Sequence, residues 1–152
     1  MRKMTLLFVF ALSFSFASVF AQARKELNFG YIGINYEIPI HKDITIAPGA
    51  STNSSIDFLT VGVKANYYFD NLFGISNAAW DVYGGANAGY AFWIGDDHDN
   101  GAGNDDKHDD DFDIGGQFGV RWFWNDKWGV YVEGSYGSHT DFTPQIGLTM
   151  KL

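Results

Sequence analysis

Three groups of residues in this 152-residue chain have the types and spacing to do chemistry. The densest is Asp96-Asp97-His98-Asp99-Asn100-Gly101-Ala102-Gly103-Asn104-Asp105-Asp106-Lys107-His108-Asp109-Asp110-Asp111-Phe112-Asp113, with nine of the chain's 18 acidic residues and one lysine. Carboxylates and imidazoles packed this closely could hold a divalent cation, with Asp96, Asp97, His98, Asp99 and His108 as candidate ligands. An EF-hand fails. Setting Gly101 at the turn glycine puts Asp96, His98 and Asn100 at the first ligand positions, but Lys107 then stands where a bidentate glutamate is required. The competing reading is a solvated loop whose charge keeps cell surfaces apart. The second group, Ser138-His139 with Asp141, has the residue types of a hydrolytic site. Triad partners normally converge from separate segments, so sequence neighbours rarely form one. The chain therefore reads as non-enzymatic and without a cofactor. The third group is Lys64, Asp81, Arg121 and Glu133, four charges set singly among alternating apolar residues. Their meaning depends on the elements that carry them.

Composition narrows those elements. The absence of cysteine excludes a disulfide framework, a zinc-thiolate site and thiol catalysis. Ten basic against 18 acidic residues argue against a nucleic-acid partner, whose phosphates would need a basic patch. Fourteen Phe, 8 Tyr and 5 Trp with 18 Gly would make an oddly sticky surface for a domain surrounded only by water. Arg2 and Lys3 precede an apolar, small-residue stretch from Met4 to Ala21 that ends in Ala21-Gln22-Ala23. This pattern predicts a signal peptide over 1–21, cleaved near 21–23, rather than a permanent anchor. The exported remainder, 24–152, is one domain. From residue 24 onward no run approaches the roughly 20 apolar residues of a membrane helix, which leaves a β-barrel as the way to cross a bilayer.

The test is period-2 alternation. Phe142, Pro144, Ile146, Leu148, Met150 and Leu152 alternate with Thr143, Gln145, Gly147, Thr149 and Lys151. Comparable runs start at Trp128, Phe112, Trp80 and Phe58, while Tyr31–Ile38 and a weaker Asp43–Ala50 precede them. That makes seven clear strands. Arg24–Gly30 is the short candidate for the eighth that an even-numbered barrel needs. The apolar face carries no Lys, Arg, Asp or Glu within these strands, as lipid demands. Aromatics, among them Trp80, Trp122, Trp124 and Trp128, gather towards its strand ends, where interfacial girdles belong. The opposite face is mainly Gly, Asn, Gln, Thr, Ser and Tyr and suits a crowded lumen better than the Lys- and Glu-rich exterior of a soluble, lipocalin-like carrier.

Turn lengths orient the barrel. Asn125-Asp126-Lys127 is tight, Ser51–Ser55 is intermediate, and Asp96–Asp111 is long. Short periplasmic turns and long external loops put the C-terminus and Pro39–Lys42 in the periplasm and the acidic loop outside. If the strands flanking Asn125–Lys127 pair across it, Arg121 falls opposite Glu133 or one diagonal step away, and a lumenal salt bridge follows, with Lys64 and Asp81 extending it. An eight-stranded barrel is just wide enough for side chains to fill, so these charges read as a plug, with a narrow porin-like channel as the alternative.

The motifs Trp80-Asp81-Val82-Tyr83-Gly84-Gly85-Ala86-Asn87-Ala88-Gly89-Tyr90, Gly119-Val120-Arg121-Trp122-Phe123-Trp124-Asn125-Asp126-Lys127-Trp128-Gly129-Val130-Tyr131-Val132-Glu133 and Ile146-Gly147-Leu148-Thr149-Met150-Lys151-Leu152 stand behind a signal-like start. Together they resemble the small OmpA/OmpX-like outer-membrane β-barrel family of Gram-negative bacteria, from about residue 27 onward. The resemblance implies an all-β, transmembrane, antiparallel up-and-down barrel of about eight strands. It also implies residence in the outer membrane and contact with the barrel-insertion machinery during biogenesis. Members usually end in an aromatic residue that this machinery reads, whereas this chain ends in Leu152.

Overall fold

The computed structural model describes residues 23–52, 55–94, 111–139 and 141–152. The signal-peptide reading of 1–21 falls outside these residues.

Eight antiparallel strands follow one another around a closed barrel: β1 (Glu26–Gly30), β2 (Gly33–His41), β3 (Ile44–Thr52), β4 (Phe58–Tyr68), β5 (Trp80–Trp93), β6 (Asp111–Phe123), β7 (Trp128–Gly137) and β8 (Thr143–Lys151). The five-residue β1 is the eighth strand, and it closes the ring by pairing with both β2 and β8. Closure removes the free edges that would otherwise expose unpaired backbone groups. Several expected boundaries differ: β2 runs through Pro39 to His41, so the turn expected at Pro39–Lys42 narrows to 42–43, and β3 takes in Ser51 and Thr52 of the expected Ser51–Ser55 loop. Tyr31 and Ile32 lie in the turn between β1 and β2 and not in a strand, because the β1–β2 ladder continues to Phe29↔Ile34 and leaves only two residues to reverse the chain. In β3, Pro48 has no N–H to donate, and the β2–β3 ladder is interrupted there, between Asn35↔Gly49 and Ile38↔Ile46.

Alternation sets the sidedness. Along β8 the exposed residues are Pro144, Ile146 and Leu148, while Thr149 is buried; along β7 Val132 and Tyr136 are exposed, while Tyr131 and Glu133 are buried. The same order holds around the ring, so the outward positions from Leu27 to Met150 carry no Asp, Glu, Lys or Arg and are apolar apart from His41 and Thr52 at strand ends. The buried set is the reverse of a soluble protein's: Glu26, Asn28, Glu37, Asn66, Asp81, Gln117, Arg121 and Glu133 are inside, with Tyr68, Tyr83 and Tyr131.

Both described termini share one end of the barrel with the turns at 42–43 and 124–127 and with a longer connection, 69–79, that contains a helical turn, α1 (Asp70–Phe73). The strand ends Gly30 and Gly33, Thr52 and Phe58, Trp93 and Asp111, and Gly137 and Thr143 lie at the other end. The tight turns at 42–43 and 124–127 thus share one end of the barrel, as expected, while most of the acidic loop lies outside the described residues.

Candidate functional site

Among the described residues, chemistry-bearing groups from many strands converge in the lumen. Glu26 and Glu37 face each other directly across the β1–β2 ladder. Two adjacent buried carboxylates repel, and they are tolerated only if a cation is brought to both. Arg121 supplies it. From β6, diametrically across from β2 in the ring, its guanidinium bonds Glu26 at 2.5 Å and also donates to Glu37. Glu37 further accepts hydrogen bonds from Tyr68 Oη at 2.6 Å, Thr45 Oγ1 at 2.7 Å and Asn28 Nδ2 at 3.0 Å. Arg121 is 2% exposed, also donates to Tyr68 Oη at 2.5 Å, and lies over the Tyr83 ring with its guanidinium carbon 4.2 Å from the centroid. Gly119 is what admits that ring: a Cβ there would come within 2.4 Å of Tyr83.

Three further ion pairs flank this strut. Lys64 of β4 pairs with Glu133 of β7, whose other oxygen accepts from Tyr83 Oη at 3.0 Å. At the terminal end, Arg24 contacts Glu26 at 2.6 Å and donates to Asp81 at 2.5 Å, while Lys151 Nζ sits 3.7 Å from the Phe123 ring centroid. Gln117 ties Asn66 and Asn87 together at 2.8 Å each. The cations Arg24, Lys64, Arg121 and Lys151 thus share the lumen with the acidic residues Glu26, Glu37, Asp81 and Glu133, and Asp113 lines its wider end. These cross-links pack the half of the barrel nearest the termini. Towards the other end the lumen opens into a cavity of about 170 Å³ lined by Asn35, Ser51, Thr60, Asn87, Ser135 and Gln145, with Lys64 among its walls.

All four sequence-predicted charges point into the lumen, but their partners differ from expectation. Arg121 stands opposite Tyr131 and Glu133 opposite Gly119, and the Arg121–Glu133 salt bridge expected from the diagonal is not the pair that forms. Arg121 reaches across the barrel to β1 and β2, which leaves Glu133 to Lys64. Asp81 is register-opposite Arg121, yet its ion pair is with Arg24. Sequence reasoning missed Arg24, Glu26 and Glu37 as partners, although Glu37 was already legible on the polar face of its strand. The candidate ligands Asp96, Asp97, His98, Asp99 and His108 lie outside the described residues. Ser138 Oγ donates to Asp113 at 2.9 Å, and the backbone N–H of His139 bonds the same carboxylate at 2.9 Å. The His139 ring lies 3.5 Å from Asp111, so the Ser-His pair is engaged with β6 acids and not with Asp141 in a relay.

No protein-family model matches the chain, and no curated protein matches it either.

Proposed function

We propose that this chain is a non-enzymatic β-barrel of the bacterial outer membrane, surrounded by lipid and closed by the struts in its lumen. Its role is envelope integrity or surface interaction through the loops opposite the termini. The observation that carries this reading is the inverted sidedness: an uncharged apolar exterior around a charged, hydrogen-bonded interior. In water such an exterior would be an apolar surface running all around the molecule, far beyond the few hundred Å² typical of soluble monomers. In lipid it is the required surface, and ring closure satisfies the backbone groups that lipid cannot. A soluble ligand carrier would need the apolar face turned inward.

The test is envelope fractionation of cells making the full chain, followed by SDS gel migration with and without boiling. The reading predicts protein in the outer-membrane fraction that resists cold SDS and changes mobility on heating. Protein in the soluble periplasmic fraction with unchanged mobility would replace it with the carrier.

A narrow channel is the second reading, favoured by the cavity of about 170 Å³ that leaves only the lower lumen to be crossed. Planar-bilayer recording separates the two. Silence from the wild type supports a plug, whereas steady openings that change in Arg121→Ala support a channel.

A further inference from the structure

The connection 69–79 is long for the end of the barrel it occupies, where residues 42–43 suffice for one turn and 124–127 for another. Its helical turn α1 is two-faced. Asp70 is buried and its Oδ1 accepts the Val82 N–H at 2.9 Å, while Asn71 Nδ2 donates to Asp43 at 2.7 Å. Leu72 and Phe73 point the other way and are 69% and 59% exposed. They are held there firmly. Phe73 N–H bonds Phe69 O at 2.9 Å, and Ile75 N–H bonds Asp70 O at 2.8 Å. Gly74 ends the turn at φ +67°, a left-handed conformation that suits glycine. The Phe73 ring stacks on Phe69 at 5.7 Å, and Phe69 meets Tyr67 of the outer face at 5.0 Å. The apolar side of α1 is therefore continuous with the apolar exterior of β4. Asp70 is the connection's only charged residue and it is buried, so no exposed charge opposes contact with an apolar phase.

We infer that α1 is a lipid-interface anchor, with Leu72 and Phe73 inserted among the glycerophospholipids of the leaflet at the terminal end of the barrel. Amphipathic segments bury such side chains at the boundary between headgroups and acyl chains. The anchor fixes the depth at which the barrel sits, and it rests on the membrane reading proposed above.

The chain has no cysteine, so a single introduced one carries the only label. Leu72→Cys and Phe73→Cys are made in the full chain, with Ile146→Cys on the strand exterior and Asp126→Cys in the exposed turn at the same end as references. Each is labelled with an environment-sensitive nitrobenzoxadiazole dye and reconstituted in dioleoylphosphatidylcholine vesicles, and cold-SDS mobility verifies that each variant has folded. The inference predicts that labels at 72 and 73 are blue-shifted relative to 126, quenched by nitroxide-bearing lipid as at 146, and shielded from aqueous iodide. Labels at 72 and 73 that behave like 126 while 146 is lipid-quenched would overturn the anchor and leave the membrane reading standing. A label at 146 that also behaves like 126 would overturn both.

Discussion

Replacing Arg121 by alanine removes the cation that stands between two carboxylates facing each other on β1 and β2. The structure ranks what is left behind. Glu26 keeps Arg24 at 2.6 Å, whereas Glu37 has no other ion-pair partner among the described residues and retains only the neutral donors Tyr68, Thr45 and Asn28. Removing one member of a buried pair costs about 3–5 kcal/mol, because the other charge is stranded. Lost contact with the Tyr83 ring adds about 0.5–2 kcal/mol, so Arg121→Ala belongs at the top of that range. Neutralising the stranded group should return most of the loss, and Glu37→Gln should do so better than Glu26→Gln. The assay is urea unfolding of protein in vesicles, followed by tryptophan fluorescence and cold-SDS mobility, for the wild type, Arg121→Ala and the two double variants. An Arg121→Ala variant within about 1 kcal/mol of the wild type, well below the cost of a stranded buried charge, would refute the reasoning. So would equal rescue by the two glutamines.

Three other outcomes follow from the same geometry. Gly119→Val drives a side chain into the Tyr83 ring and should cost about 1–3 kcal/mol of overpacking, read in the same unfolding assay. Burial pushes the Asp70 carboxyl above the usual aspartate range, against the opposing effect of the Val82 N–H. Its stabilising contribution is complete in acid, below the unfolded-state pKa, and is lost as pH rises through the raised folded-state value. Asp70→Asn, which keeps an oxygen for Val82, should therefore be more stable than the wild type at neutral pH and equal to it in acid, as unfolding midpoints across pH will report. Val132→Lys places an ammonium on the exterior midway along β7, where the side chain is 57% exposed. In a bilayer it should cost about 2–4 kcal/mol. On a water-facing surface the change would stay within about 0.5 kcal/mol.

Much of the barrel is legible in the sequence because strand alternation is a local property. The runs from Phe58, Trp80, Phe112, Trp128 and Phe142 each carry their own inside and outside, and they appear as β4 to β8. The Tyr31-Ile32 turn is hidden because both residues continue the apolar and β-prone pattern of the strand that follows. The 69–79 connection gives little sign of α1, since a single helical turn is too short to show a period. The four lumenal charges are legible as inward-facing residues, but their partners are not. Cross-lumen pairing depends on the tilt and stagger of strands around the whole ring, which no single hairpin contains. Arg121 illustrates this: local pairing suggests Glu133 two strand positions away, while the closed ring offers a repelling Glu26–Glu37 pair straight across.

In the proposed membrane setting the apolar face of this barrel meets lipid while its charged face is sealed inside. Single cysteines placed in turn from Val130 to Ser135 on β7, each labelled and reconstituted with nitroxide-bearing lipid, test it residue by residue. Strong lipid quenching is expected at 130, 132 and 134 and weak quenching at 131, 133 and 135. Quenching that is uniformly absent, with iodide reaching 130, 132 and 134, would contradict it.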